Sequence, residues 1–112
     1  MRSKDKIVIG KINRYCAEIL MFVEGMTRED FLKDIKTNRA CAITMQQIGE
    51  LSKRLSDDVK SEYSHIPWKD IRGMRNFIVH EYEDIDWETV WQTINESIPE
   101  LLNHTEEILK DA

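Results

Sequence analysis

Proline and glycine are scarce in this chain of 112 residues, which has two prolines and four glycines. Few positions can break a helix or make a tight turn, so the elements are long and a protein of many short strands is disfavoured against helices. Cysteine is also sparse. Cys16 and Cys41 lie in neither a Cys-x-x-Cys nor a Cys–His pattern, which speaks against a disulfide framework or a zinc finger and for free buried thiols in a reducing compartment. No run of about 18 apolar residues is present, so no membrane-spanning helix is expected. The opening stretch MRSKDKIVIGKINRY lacks the apolar core, roughly 7–15 residues, of a signal peptide, and the expected location is cytoplasmic. Positive charge is in deficit as well. Sixteen Lys and Arg face 21 Asp and Glu, a net charge of −5. General nucleic-acid binding needs clustered cations, so any chemistry on RNA or DNA has to come from a local site or a partner.

What remains is a globular composition, 41% hydrophobic and 33% charged. A chain of this length is expected to form one domain over residues 1–112. Its own core makes it marginally stable, and dimerisation would help it. No repeat or low-complexity segment interrupts it.

Apolar spacing predicts a first helix over about Lys4–Glu24, with Ile9, Ile12, Cys16, Ile19 and Val23 facing inward and Tyr15, Leu20 and Phe22 widening the stripe. Gly25 stops it, and Thr27 caps a second helical stretch that holds Phe31, Leu32 and Ile35 and either bends or runs on into a third. In the third, Ala40, Ile43, Gln47, Ile48, Leu51 and Leu55 fall on one side, with Gln47 as a polar intruder. Gly49 inside this helix costs roughly 1 kcal/mol against alanine, a cost usually kept where another backbone comes close. Ser56 caps a short helix over Asp57–Glu62, Pro67 opens a helix reaching Tyr82, and Asp86 caps a last one. That last helix carries Trp87, Val90, Trp91, Ile94, Ile98, Leu101, Leu102 and Leu109 inward, with Pro99 expected to kink it. The resulting fold class is all-α: an antiparallel up-and-down bundle of about five helices with short connections.

One stretch concentrates chemistry: IRGMRNFIVHEY, Ile71–Tyr82. On a regular helix Ile71, Met74, Phe77 and Ile78 point to the core. Arg75 and Tyr82, seven apart, align within about 20°, and Asn76 and His80 are neighbours at i and i+4. A guanidinium, a carboxamide, an imidazole and a phenol then share one broad face. Solvated polar residues on a surface helix give the same pattern, so geometry alone leaves both readings open. The carboxylates Glu29, Asp30, Asp57, Asp58 and those from Glu81 to Asp86 read as caps and solvated faces. Gln46, Gln47 and Glu50 are candidates for a supporting polar cluster. His65 and His104 have no second ligand at a spacing such as His-Glu-x-x-His, and no metal is expected. No glycine-rich phosphate loop or Gly-x-Ser-x-Gly elbow is present. Trp68, Trp87 and Trp91 read as apolar anchors rather than base-stacking platforms.

Arg75-Asn76-Phe77-Ile78-Val79-His80 followed by Tyr82 resembles the motif of the HEPN superfamily, and the tyrosine two residues after the histidine resembles its HepT family of toxins. The surrounding QQIGE at Gln46–Glu50, IPWKDIRGMRNFIVHEY from Ile66 and DIDWETVWQTI after it extend the likeness over most of the chain. The resemblance implies a dimerising HEPN-like bundle whose motif helices meet at a cleft, and a metal-independent endoribonuclease without cofactor. It implies Arg75 and His80 as the catalytic pair and Asn76 as a supporting residue. It also implies a partner, an MntA-like nucleotidyltransferase antitoxin that transfers AMP to Tyr82 and silences the toxin.

The residue chemistry fits those roles. RNA carries its own nucleophile, the 2′-hydroxyl. Histidine moves protons near neutrality, and arginine matches phosphate oxygens with its two-pronged donor geometry. The expected product is a 2′,3′-cyclic phosphate. A competing reading keeps the helical dimer but makes it non-catalytic, a binder of a nucleotidyltransferase or of nucleotide. A third makes the chain a structural bundle with no site.

Overall fold

A computed structural model describes the backbone of residues 1–78 and 84–112 and the side chains of residues 1–76 and 84–112. Among the described residues every regular element is helical: α1 Ser3–Phe22, α2 Arg28–Lys33, α3 Ile35–Ser52, α4 Asp57–Glu62, α5 Trp68–Gly73, a 3₁₀ segment Met74–Ile78, and α6 Trp87–Asp111. No described helix is long and apolar enough to cross a membrane.

The caps stand where short polar side chains announce them. Thr27 accepts from the Asp30 N–H while the Asp30 carboxylate accepts from the Thr27 N–H, a reciprocal capping box. Asp34 accepts from the Thr37 N–H at 3.0 Å, which separates α2 from α3, so the second stretch ends rather than running on. Ser56 and Asp86 start α4 and α6 as expected. Gly25, at φ +76°, takes the left-handed conformation that closes the end of α1.

The core forms where α1 packs on α6 and α3. Ile9, Ile12, Cys16 and Ile19 from α1, Cys41, Met45 and Ile48 from α3, and Val90, Ile94, Ile98 and Ile108 from α6 are wholly buried. Phe31 joins them, with its ring centroid 5.1 Å from Trp91 and 6.5 Å from Trp87. All three tryptophans pack against the core, as expected of anchors. Polar groups inside find partners. The Asn38 Nδ2–H donates to the Phe31 carbonyl, Ser52 Oγ–H to the Gly49 carbonyl, and Thr105 Oγ1 accepts from Asn13 Nδ2–H.

Two expectations need correction. The buried side of α3 runs through Asn38, Cys41, Ala42, Met45, Ile48, Gly49, Leu51 and Ser52, so Ile48 and Leu51 are buried as expected, and so is Leu55 beyond the helix, while Gln47 is exposed and Ile43 is 44% exposed. The inward face carries two polar residues, Asn38 and Ser52, whose side chains bond to carbonyls, so the apolar spacing alone marks only part of it. Pro99 lies inside α6, as expected, and α6 continues to Asp111. Its apolar stripe also includes Ile108, wholly buried, beside the partly buried Leu109.

The second correction matters most for function. The helix opened by Pro67 is not a regular α-helix to Tyr82. Pro67 is its N-cap, α5 ends at Gly73, and Met74–Ile78 winds as a 3₁₀ turn. A 3₁₀ helix turns about 120° per residue, so the angles calculated for an α-helix do not apply to Met74–Ile78, and Tyr82 lies outside the described residues. Ile71 and Met74 are buried as expected, whereas the side chains of Phe77 and Ile78 and the end of the expected helix lie outside the described residues.

Candidate active site

The motif segment is positioned by a glycine. α5 and the 3₁₀ turn pack on α3, and at Gly49 the two backbones meet. A Cβ placed there would stand 2.5 Å from the Arg75 nitrogen and 3.0 Å from the Arg72 carbonyl oxygen. Only a residue without a side chain lets the chain at Arg75 lie this close to α3. The close approach expected from a glycine inside a helix is thus present, and its partner is the candidate catalytic arginine.

Arg75 itself points to water. Its Nη1 is 3.7 Å from Glu50 Oε1, with both side chains more than two-fifths exposed. A pair so open contributes roughly 0–1 kcal/mol, so an incoming phosphate can replace Glu50 at little cost. Of the candidate supporting residues Gln46, Gln47 and Glu50, Glu50 stands beside the motif's Arg75 among the described residues.

Arg75 and Asn76 line a groove of about 770 Å³ between α5 with its 3₁₀ extension and α6, to which Lys53, just after α3, also contributes. That volume suits a bound small molecule or a nucleotide. Four cationic side chains line it, Lys53, Lys69, Arg72 and Arg75, against two carboxylates, Asp70 and Glu100. The sign is the reverse of the whole chain, whose net charge is −5. The lining thus carries more cations than carboxylates on an acidic chain, with Glu50 within 4 Å of both Arg75 and Lys53. Lys53 and Lys69 were not anticipated. They lie 16 residues apart on different elements, and no linear pattern joins them. Arg72, three residues before Arg75, carried a signal in its spacing.

Of the four residues singled out in the motif, the structure brings Arg75 and Asn76 to this groove, while His80 and Tyr82 lie outside the described residues. The two thiols are buried, and burial pushes both Cys16 and Cys41 up to about 12, with Asp34 adding to the effect at Cys41. Neither is poised as a nucleophile. His65 and His104, isolated in sequence, come together with Glu107.

Comparison with known proteins identifies the family. The family profile described as "Ribonuclease HepT-like" matches residues 12–108. A protein of Methanocaldococcus jannaschii named "Putative RNase" is 34% identical over 112 residues, covering 99% of this chain and 93% of its own. A second, from Caldanaerobacter subterraneus subsp. tengcongensis and also named "Putative RNase", is 38% identical over 95 residues, 85% of each chain. A third, from Thermococcus cleftensis and named "Probable ribonuclease HepT", is 37% identical over 98 residues, 84% of this chain and 89% of its own. No solved structure gives a significant match. With a profile matched from residue 12 to residue 108 and relatives aligned along most of its length, the chain belongs to the HepT-like family of ribonucleases.

Proposed function

We propose that this protein is the toxin of a toxin–antitoxin pair, a homodimeric, metal-independent endoribonuclease that uses Arg75 and His80, with Asn76 in support. The observation that carries this reading is the groove: in a chain with a surplus of acid, Lys53, Lys69 and Arg72 line it together with Arg75 and Asn76. That concentration suits a polyanion and speaks against a structural bundle with no site; the family to which the chain belongs favours cleavage over nucleotide binding alone.

The reaction needs three acts. A base takes the proton of the RNA 2′-hydroxyl, and the freed oxygen bonds to the adjacent phosphorus. Arg75 spreads its donors over the non-bridging oxygens as their negative charge grows. The bond from phosphorus to the 5′ oxygen breaks, and an acid returns a proton to that oxygen. The products are a 2′,3′-cyclic phosphate and a 5′-hydroxyl. His80 is the proton carrier, since imidazole titrates near neutral pH. Proton transfer by one such group supplies typically 10²–10⁴-fold, so a two-fold dimer of up-and-down bundles that joins two motif segments at one cleft gives one His80 as base and the other as acid. Asn76 orients His80 or holds a phosphate oxygen. Lys53, Lys69 and Arg72 hold the flanking backbone, a role that fits their placement along the groove.

Silencing follows from the same electrostatics. AMP transferred from ATP to the Tyr82 hydroxyl by an MntA-like nucleotidyltransferase adds bulk and a negative phosphate, which competes with RNA for the Arg75 guanidinium. The purified dimer incubated with RNA in EDTA should yield cyclic-phosphate ends, and incubation with the antitoxin and ATP should add one AMP at Tyr82 and stop cleavage. No cleavage by the dimer, at any metal concentration, would instead support the non-catalytic alternative.

A further inference from the structure

His65, His104 and Glu107 meet on the surface at the junction of the α4–α5 turn with α6. One ligand atom from each lies within 4.8 Å of the others. His104 and Glu107 are three residues apart on α6 and so share a face. His65 comes from a turn that spans residues 63–66, and that turn is held firmly. The Tyr63 hydroxyl donates to Asp111 at the end of α6, the Trp68 indole N–H donates to the Tyr63 carbonyl, and the Ile66 N–H closes the turn on the same carbonyl. The backbone therefore sets His65 against α6. Its Nε2 stands 3.4 Å from Glu107 Oε1, and its ring meets that of His104 edge-on at 5.6 Å.

We propose that these three residues form a binding site for a first-row transition-metal dication, of the zinc, cobalt or nickel kind. Two imidazoles and one carboxylate are a nitrogen-rich set that prefers such ions to magnesium or calcium. Bonds of about 2.0–2.2 Å in a tetrahedron put ligand atoms roughly 3.4 Å apart. The His65–Glu107 separation already matches this. The wider gaps close by about 1.4 Å, which side-chain rotation supplies where His65 and Glu107 are about half exposed. His104 also lines the groove that holds Arg75 and Asn76, so a metal here adds positive charge at the groove's rim. The proposal does not depend on the ribonuclease reading. The metal is an accessory ligand away from Arg75, and cleavage in EDTA is compatible with it.

The test is a Co²⁺ titration of the full-length, tag-free protein after removal of metal, read by visible absorption and by thermal denaturation. The wild type should bind one Co²⁺ per chain with visible bands of a low-coordinate site, and should melt at a higher temperature with the metal present. His65→Ala, His104→Ala and Glu107→Gln should each weaken binding at least tenfold and abolish the melting shift. Far-UV circular dichroism should show each variant folded. Should His104→Ala or Glu107→Gln disturb α6, His65→Ala, whose side chain leaves from an exposed turn, decides alone. Equal Co²⁺ affinity in wild type and His65→Ala, or a sulfur-to-cobalt charge-transfer band placing the metal on Cys16 or Cys41, would overturn the proposal.

Discussion

Gly49→Ala is the sharpest perturbation of the site that leaves every polar group in place. The new methyl would lie 2.5 Å from the Arg75 nitrogen and 3.0 Å from both the Arg72 carbonyl oxygen and the Arg75 Cβ. Ordinary contact begins at 3.4 Å, so the chain at Arg75 has to retreat by about 0.9 Å, and backbone rather than a flexible side-chain tip has to give. Overpacking of this kind costs roughly 1–3 kcal/mol, while alanine in a helix recovers roughly 1 kcal/mol over glycine. The net loss of stability is therefore about 0–2 kcal/mol, and the protein stays folded. Activity suffers more, because a displacement of roughly 1 Å at a catalytic group can cost about 10²-fold. Gly10→Ala is the control. It sits in α1 with nothing within 4 Å of the added carbon, and should stabilise the protein by roughly 0.5–1 kcal/mol without touching cleavage. Urea denaturation and initial rates of RNA cleavage, measured on both variants, give the comparison. Gly49→Ala cleaving at the wild-type rate while matching Gly10→Ala in stability would refute the claim that the bare backbone of α3 sets the position of Arg75.

Three other outcomes are expected. Asp5 is almost wholly buried, which opposes its ionisation, but hydrogen bonds from the Ser56 hydroxyl and N–H, with Arg2 and Lys4 nearby, outweigh this and hold its carboxyl below the ordinary value. Its stabilising contribution is complete above the unfolded-state pKa of about 3.9 and is lost as pH falls through the lower folded value. Asp5→Asn should therefore cost on the order of 1 kcal/mol at pH 7 and flatten the acid limb of a stability–pH curve, and an unchanged acid limb would count against this. At pH 8 a disulfide thiol reagent should leave Cys16 and Cys41 untouched in the native protein and titrate both in denaturant, since burial raises each to about 12; rapid native labelling would contradict their burial. Phe31→Ala should cost about 3–5 kcal/mol and change tryptophan fluorescence, because the ring is wholly buried against Trp87 and Trp91.

Much of this fold was legible because its outer helices obey simple periodicity. The inward faces of α1 and α6 follow the apolar spacing, and Thr27, Ser56 and Asp86 mark helix starts through their own side chains. Gly49 was legible as a close approach because a helix keeps a glycine there only against a cost. α3 misled because its buried face includes Asn38 and Ser52, satisfied by the Phe31 and Gly49 carbonyls, while Ile43 faces out. The change from α to 3₁₀ winding after Gly73 has no local signature. It lies where the segment meets α3, a contact between residues more than twenty apart in the chain. The site divides in the same way. Arg75 and Asn76 were readable as a motif, whereas the gathering of Lys53, Lys69 and Arg72 around them, and of His65 with His104 and Glu107, exists only in three dimensions.

Arg75 and His80 are proposed to carry out phosphoryl transfer within RNA, and single-turnover cleavage of a labelled RNA by the purified protein, compared among wild type, Arg75→Ala and His80→Ala at equal folded concentration, tests this pair. The expected result is a fall of roughly 10²–10⁴-fold for His80→Ala, a fall of at least about 10²-fold for Arg75→Ala, and cyclic-phosphate ends on the wild-type product. Equal rates in all three proteins would contradict it.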